Sequence, residues 1–502
     1  MAKYEALPNI SVNLKQIKAV DANMVIPFNA TVICKAKTGP IGKFTHISSY
    51  TEAINTFGLG DAETPVLYGI EQVLKTYGYV NIIRVASEKA AESTIEIKAH
   101  KEDGTEYTEE EFVDHILITG KSDYKTDIYN GDEIKLVYNN IRTRLCLKGE
   151  LNGVTYTSPL EIIDLSTATA DELEKVLDKL VTNWNALNTG VTLENKFINK
   201  LDSDKSLMNT DIAYGTIQMG NSGNAETISA EEVIAMFDLI EDPRITTQDV
   251  VCAPEFRNWE VVNAGIALNN KYFYIVAATG KDLEAKQDSI ANYSISDEGV
   301  LYIPDTCIMA DESIEVPFEC AALYAWATSF NASRYLAPAG TNRATLPLVT
   351  NVLNNLPDDD AEVLYNDVIP CNPVRYITNY GFTLYGQKTM DSSQEFTNRI
   401  NVSGLVNYIQ IEGRKILTPY IFEYTPVSTF QKVYLDLDKL LSTLATKEVL
   451  YNDYKIICDD SNNTQETLAN HELHVAVVIR PVNVTEYIIL DLTVTDDLGG
   501  EE

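Results

Sequence analysis

Three short motifs contain residue types that could bind phosphate or a metal ion. Gly120–Ser122 reads Gly-Lys-Ser, like the end of a phosphate-binding loop, but His115 stands where that loop requires its first glycine. His471 and His474 are three residues apart, whereas a helical zinc site needs histidines four residues apart on one face. Asp358–Asp360 could bind a cation, although acidic runs in loops are usually solvated. We therefore predict no catalytic residue, no metal site and no cofactor.

Other sequence signals of catalysis are sparse. The chain holds five histidines, which leaves few groups for general acid–base chemistry at neutral pH. It contains no Gly-x-Ser-x-Gly nucleophile elbow. We expect a structural protein and not an enzyme. An α/β enzyme with a cleft in residues 210–350 stays open as an alternative, because the residues of an active site need not be contiguous.

Length and charge narrow the class of protein further. The chain has 502 residues, which favours two to four domains. Its 73 acidic and 39 basic residues give a net charge of −34, so its overall field should repel nucleic acid and anionic membranes. No apolar run approaches the roughly 20 residues that cross a bilayer. Seven scattered cysteines, together with the lack of an apolar signal core at the start, predict folding in a cytoplasm.

The order of helix and strand patterns predicts an α+β multidomain protein. Strands that alternate with helices predict an α/β core domain in residues 23–88 plus 210–355. Short strands between Asn-Gly and Gly-Asp turns predict a β-rich inserted surface domain in residues 89–209. A further α/β domain is expected in residues 356–483, where an amphipathic helix and an alternating strand occur.

Capping patterns predict where several helices begin. A serine or threonine followed three residues later by glutamate forms a capping box at Ser49–Glu52, Thr169–Glu172, Ser229–Glu232 and Ser392–Glu395. Residues 431–444 show the spacing of an amphipathic helix. The apolar face of that helix contains Val433, Leu437, Leu440 and Leu441.

Extended arms are predicted at both ends of the chain, in residues 1–22 and 484–502. Within each arm a short stretch, residues 10–14 and residues 488–494, has an apolar residue at every second position, which is the period of a strand. A lone strand at a terminus needs the edge of a sheet to join. The last 12 residues hold five acids and no base. The alternating apolar residues are Ile10, Val12 and Leu14 in the first arm and Ile488, Leu490, Leu492 and Val494 in the second.

Five longer motifs carry information through their order, although each alone is weak. The motifs are Thr38–Gly42, Leu336–Gly340, Asn372–Arg375, Tyr380–Thr389 and Phe422–Pro426. In the order and spacing of these motifs the chain resembles the contractile phage tail sheath protein family over nearly its whole length.

This resemblance implies a structural subunit that polymerises around an inner tail tube and contracts to drive the tube through the host cell envelope. The implied partners are copies of the chain itself in stacked hexameric rings, the tail tube protein, and the baseplate and tail terminator proteins. No direct contact with nucleic acid and no insertion into a membrane are expected. The implied location is the virion tail, assembled in the bacterial host cytoplasm. Another self-assembling surface or tail protein stays open as a second alternative.

The resemblance also implies roles for the arms and for the 431–444 helix. In sheaths, terminal arms add strands to the C-terminal sheet of a neighbouring subunit, and here the arms would be Ile10–Leu14 and Val484–Val494. The inserted domain would face outward. The helix that carries Val433 and Leu437 is the candidate surface that faces the tube or packs against the sheath. Because one chain carries both arms and the core, a phage or phage-like particle is favoured over the two-chain type VI secretion sheath.

Overall fold

The described chain has a mixed fold of helices and several sheets, arranged in two compact units. The first unit contains residues 28–333 and 337–400, and the second contains residues 334–336 and 401–486. No helix within the described residues is long and apolar enough to cross a membrane. The computed structural model describes residues 28–486 with the exception of 77, 100–115, 140, 166, 198–212, 242–247, 269–271, 311–313 and 394–395.

The main sheet of the first unit starts in segments rich in apolar and β-branched residues. The first elements are β1 (Ala30–Cys34), β2 (Phe44–Ile47), α1 (Tyr50–Phe57), α2 (Pro65–Leu74) and β3 (Val80–Arg84). β1 and β3 pair in parallel, and all their residues are buried, as is typical of a sheet that is covered on both faces. β2 pairs with β3 in the antiparallel direction and forms one edge of the sheet.

A second, antiparallel sheet is formed by the next part of the chain. Its strands lie in the order β10-β5-β4-β11-β6-β7-β8, and β9 also pairs with β7. The elements are β4 (Glu92–Ala99), β5 (Ile116–Lys125), β6 (Glu133–Asn139), β7 (Arg144–Leu151), β8 (Val154–Thr157), β9 (Glu161–Ile162), α3 (Ala170–Asn185), β10 (Val191–Asn195) and β11 (Ala213–Thr216).

Helix α3 packs against this second sheet. The capping box at its start is present, since the Thr169 hydroxyl accepts from the Glu172 N–H and the Glu172 carboxylate accepts from the Thr169 N–H. Trp184 is buried near the end of the helix and donates from Nε1 to the Val191 carbonyl at 3.1 Å. Burial alternates along β6 and β7, so one face of the sheet packs on the core that α3 completes.

The chain then returns to the main sheet. Strands β15, β16 and β17 form a separate three-stranded sheet, and β19 pairs with β20 as a hairpin. The elements are α4 (Ala230–Phe237), β12 (Val250–Cys252), α5 (Trp259–Ile266), β13 (Phe273–Ala277), α6 (Leu283–Ile290), β14 (Gly299–Tyr302), β15 (Thr306–Met309), β16 (Glu315–Pro317), α7 (Phe318–Ala332), β17 (Val349–Leu353), α8 (Asp358–Tyr365), β18 (Cys371–Asn372), β19 (Val374–Ile377) and β20 (Gly381–Leu384).

The completed main sheet has seven strands in the order β18-β14-β13-β12-β1-β3-β2. All of its pairings are parallel except that of β2 with β3. Separate apolar clusters cover its two faces. In one of them Trp326 donates from Nε1 to the Tyr302 hydroxyl at 2.7 Å and packs against Phe273 and Phe330.

Three details differ from the sequence-based expectations. β18 pairs with β14, so residues 356–400 belong with the main sheet and the boundary expected at 355/356 falls at 400/401. β11 pairs with β4 and β6, so the second sheet extends beyond residue 209. Glu395 of the Ser392–Glu395 box lies outside the described residues, and the first element described after the box is the 3₁₀ turn Phe396–Asn398, followed by an α-helix from Ile400.

The second unit packs two long helices with a small sheet. Apolar side chains of both helices and of the two strands form its core. The elements are α9 (Ile400–Leu417), a 3₁₀ turn (Thr418–Tyr420), α10 (Val427–Thr446), β21 (Lys455–Ile457), α11 (Gln465–Ala469) and β22 (Ala476–Val478).

Candidate functional site

The carboxyl ends of the parallel strands are where an α/β enzyme would bind a ligand. A buried ion pair lies there: Arg257 Nε donates to Glu319 Oε1 at 2.8 Å, and Arg257 Nη2 donates to the Asp305 carbonyl at 2.8 Å. Glu319 Oε1 also accepts from the Ala277 N–H at 3.0 Å, directly at the end of β13. The pair therefore joins α7 to the strand ends.

A buried lysine extends the same network. Lys286 Nζ donates to the carbonyls of Ala278 and Ile303 at 2.7 and 2.6 Å, so it bridges the residues that follow β13 and β14. Burial lowers the pKa of Lys286 to about 8. Asp305 accepts from the Gly280 N–H at 3.0 Å and from the Asn354 amide at 2.8 Å.

These charged groups cross-link the fold. Each of the four forms hydrogen bonds with main-chain or side-chain groups of neighbouring segments; the four are Arg257, Lys286, Asp305 and Glu319. The last three are buried. A catalytic acid, base or nucleophile must reach the reacting atoms of a substrate. The arrangement is that of a structural network at the strand ends.

The three motifs that could bind phosphate or a metal ion lie in places that do not favour such binding. Gly120–Ser122 lies inside β5, where Lys121 forms an exposed ion pair with Glu92. His474 is exposed and contacts Glu472 through Nε2 at 2.8 Å. Asp358–Asp360 forms the first turn of α8 and not a loop, a position where acidic side chains stabilise a helix. Across the part of the chain that the structure describes, no cluster of His, Cys, Asp or Glu could hold a metal ion.

The apolar face of α10 points into the core of its own unit. Val433, Leu437, Leu440 and Leu441 are all buried there, beside side chains of α9, β21 and β22. A partner could reach them only by opening that core. The amphipathic pattern therefore located the helix correctly, but these four side chains are core residues, and a contact surface has to be sought on the opposite face.

The opposite side of the second unit presents large apolar side chains to solvent. Phe422 and Tyr424, in the loop before α10, are 87% and 91% exposed. Val427, Tyr434 and Leu435 are also exposed. We name these five residues the aromatic surface. Aromatic side chains are frequent anchors of protein interfaces.

The loop that carries the aromatic surface is fixed at both ends. The Tyr420 hydroxyl donates to Asp436 at 2.6 Å, and the Thr429 hydroxyl donates to the Tyr424 carbonyl at 2.9 Å. Phe422 has a φ of +70°, a strained value for a bulky residue. Phe422–Pro426 is one of the motifs that carry the family resemblance, but nothing in its sequence predicts that its rings lie in solvent.

The small sheet of the second unit offers free strand edges. β21 and β22 pair with each other, and the pairing extends to main-chain bonds between Tyr451 and Arg480 and between Val482 and Val449. Within residues 401–486 no third strand joins them, so each has an edge unpaired by the described chain. A two-stranded sheet is marginally stable on its own, and added strands would stabilise it.

The arm residues chosen from the sequence lie outside the described residues. The N-terminal set, Ile10, Val12 and Leu14, precedes residue 28, and the C-terminal set follows residue 486. Their role therefore stays a prediction. The C-terminal set is Ile488, Leu490, Leu492 and Val494.

Comparison with known sequences gives relatives that share one name. No protein-family model matches the chain. A tail sheath protein of Vibrio phage KVP40 is 23% identical over 294 residues, which cover 58% of this chain and 43% of the relative. A tail sheath protein of Enterobacteria phage T4 is 27% identical over 172 residues, covering 33% of this chain and 26% of the relative. The matches thus span less than half the length of these relatives.

Solved structures with the same fold match almost end to end. A sheath tail protein from Listeria innocua has a TM-score of 0.59 at 11% identity and covers 91% of this chain and 92% of its own. The helical sheath of the anti-feeding prophage in its contracted state has a TM-score of 0.56 at 13% identity, covering 98% and 99%. At such identities the likeness defines the fold.

Together the two comparisons define a class. The architecture is the mixed helix-and-sheet fold of contractile sheath proteins. The predicted resemblance of this chain to the contractile tail sheath family is confirmed, and the enzyme alternative finds no support.

Proposed function

We propose that this chain is the structural subunit of a contractile tail sheath, which polymerises around an inner tube and contracts to drive the tube through a host cell envelope. The observation that carries the proposal is the end-to-end structural match to a contracted sheath, together with sequence relatives named tail sheath protein. The locked network at the strand ends of the main sheet supports a structural role over a catalytic one.

Strand addition is the proposed means of polymerisation. The arms in residues 1–22 and 484–502 leave their own subunit and pair with the free edges of β21 and β22 in a neighbour. The support is the strand period of both arms and the small size of the receiving sheet. Such main-chain joints can stay intact while rigid cores rotate during contraction.

The antiparallel sheet is proposed to be an inserted domain that faces outward from the tail. Its support is the run of chain from β4 to β11 that leaves and re-enters the main sheet. Its many acidic residues would limit association between neighbouring tails. Deleting residues 92–220, which removes the whole sheet and joins Ala91 to its bonded neighbour Asn221, tests this role: sheaths that clump would support it, and sheaths as well dispersed as the parent would contradict it.

The aromatic surface is the proposed contact with the tail tube protein or with a neighbouring sheath subunit. It takes the place of Val433, Leu437, Leu440 and Leu441, which are buried. Stacked hexameric rings, and contacts with baseplate and tail terminator proteins, complete the proposed set of partners. The proposed location is the virion tail of a phage or phage-like particle, after assembly in the host cytoplasm.

Negative-stain electron microscopy of the purified chain tests the proposal. We expect long hollow tubes or stacked rings from residues 1–502, and their loss or shortening when residues 1–20 are removed. The matched control replaces Ile141 and Ile162, exposed apolar residues of the antiparallel sheet region, by serine; it leaves both arms and the aromatic surface intact and should still give rings. A uniformly dispersed monomer at high concentration, from the full chain, would contradict the proposal.

A further inference from the structure

The connection between the two sheets of the first unit is built around a buried arginine. Arg84 is the last residue of β3, immediately before the chain leaves for the antiparallel sheet, and it is 0% exposed. Its Nη1 donates to the Gly39 carbonyl at 2.8 Å, and its Nη2 donates to the Ser222 carbonyl at 2.9 Å. Ser222 lies where the chain returns from the antiparallel sheet. One guanidinium therefore connects the segment that leaves the main sheet with the segment that returns to it.

Further bonds converge on the segment that follows β1. The Thr126 hydroxyl, just after β5, donates to the Lys37 carbonyl at 2.8 Å. The Asn224 amide donates to the Ala36 carbonyl at 3.1 Å, and Lys35 Nζ donates back to the Asn224 carbonyl at 3.3 Å. Two separate segments of the antiparallel sheet region, one after β5 and one after β11, therefore bond to residues 35–39.

Charge and packing complete the junction. The Ser222 hydroxyl donates to Asp127 at 3.0 Å. Burial lowers the pKa of Arg84 to about 10, and the negative charge of Asp127 opposes that shift. Gly223 has a φ of +78°, and a Cβ there would lie 2.9 Å from the Ala90 Cβ, so only glycine fits the close approach.

We propose that Arg84, Thr126, Asp127, Ser222 and Asn224 form a clasp that holds the antiparallel sheet in one fixed orientation on the main sheet. Domains joined by linkers move relative to each other unless their interface is extensive. Here the planar guanidinium fixes two carbonyl groups from segments far apart in sequence, and it is shielded from water. Motion of the main sheet is thus transmitted to the antiparallel sheet without a hinge.

A distance measurement by pulsed electron paramagnetic resonance tests the clasp. All seven native cysteines are buried, so spin labels would attach to cysteines introduced at the exposed positions Thr155 on β8 and Glu284 on α6. Labelled full-length chain is diluted with unlabelled chain, so that distances within one molecule are measured whether or not it polymerises. We expect one narrow distance distribution for the parent.

The variant Arg84→Met removes the two guanidinium hydrogen bonds of the clasp and should broaden the distance distribution at least twofold. The control Thr192→Val removes an exposed hydroxyl bond to Asp123 inside the antiparallel sheet and should leave it narrow. A narrow distribution in folded Arg84→Met would overturn the inference. If Arg84→Met does not fold, the same distance is measured in the double variant Thr126→Val/Asp127→Asn. A broadened distance distribution is expected there, and an unchanged one would overturn the inference.

Discussion

The two large sheets of the first unit differ in how many of their faces are covered by apolar side chains. In the main sheet, β1 and β3 are buried at every residue, because apolar clusters cover both faces. In the antiparallel sheet, burial alternates along β6 and β7, because one face packs on the core with α3. The main sheet can accept few substitutions, whereas half of the positions in the antiparallel strands are free to vary.

The charged residues of the main sheet are more buried than those of the antiparallel sheet. The main sheet buries Lys286 and Glu319 in a network at its strand ends, where Glu319 binds the part-buried Arg257. The antiparallel sheet carries pairs such as Lys121–Glu92, whose members are exposed. Buried pairs are costly to break, and exposed pairs contribute little. The comparison indicates that breaking a charged pair costs more in the main sheet than in the antiparallel sheet.

The largest effect should come from the two buried tryptophans. Trp326→Ala removes a ring packed on Phe273 and should lower the free energy of unfolding by about 3–5 kcal/mol. Trp184→Ala leaves a similar cavity, but between α3 and the antiparallel sheet. Denaturant unfolding gives the loss, and hydrogen exchange locates it. We expect Trp326→Ala to expose amides of β1 and β13, and Trp184→Ala to expose mainly those of β4 to β11.

If amides of both sheets exchanged equally fast in the Trp184→Ala variant, the two sheets would unfold as one cooperative unit. That result would contradict the expected difference between the sheets.

The next effect should come from one buried and one exposed carboxylate. Glu319→Gln leaves the Arg257 charge buried without its partner and should cost about 3–5 kcal/mol. Glu92→Gln removes the partner of Lys121 at the surface and should not shift the thermal midpoint measurably. Thermal unfolding of the two variants side by side provides the measurement. A shift of similar size in both would contradict the assignment of stability to the buried network.

The smallest effect should be a difference in pH dependence. Burial raises the pKa of Glu71 to about 7, although the Gly60 N–H bonds to its carboxylate. Because this folded pKa exceeds the ordinary value, the contribution of Glu71 to stability is present below about pH 4.5 and is lost as the pH rises through 7. Glu71→Gln should therefore be more stable than the parent at pH 8, and this gain should disappear at pH 5.

Glu172 provides the control of opposite sign. The Thr169 N–H and hydroxyl bond to its carboxylate and lower its pKa, so its contribution is lost as the pH falls. Glu172→Gln should not gain stability at pH 8. Unfolding curves at pH 5 and pH 8 test both variants, and a gain for Glu71→Gln that did not depend on pH would refute the assignment.

Local signals in the sequence were reliable where short-range chemistry decides the structure. The capping boxes at Thr169 and Ser229 begin helices as predicted, because each satisfies main-chain donors within one turn. Ser392 has the same pattern, but the first element described after it is the 3₁₀ turn Phe396–Asn398, and the α-helix starts only at Ile400. The strands β12 and β13 lie in residues 210–355, where alternating strand and helix patterns predict an α/β core.

Long-range relations were beyond the sequence. The two-residue strand β18 carries no apolar run, so its pairing with β14 and the boundary at residue 400 could not be predicted. The pattern of α10 predicts an apolar face but not what covers it, and that cover is the core of its own unit. Arg84 shows no local signal either, because its two acceptors, Gly39 and Ser222, lie far away in sequence.

The strand order of the main sheet also sets an order of events during synthesis. β1 pairs with β12, so residues 30–34 must wait for residues 250–252, which takes tens of seconds at roughly 5–20 residues per second. The antiparallel sheet draws all its strands from residues 92–216 and can fold while the main sheet is still incomplete. β3 can pair with one edge of the apolar β1 early, but the other edge has no partner until β12 is made, so the nascent chain presents an open strand edge during that time.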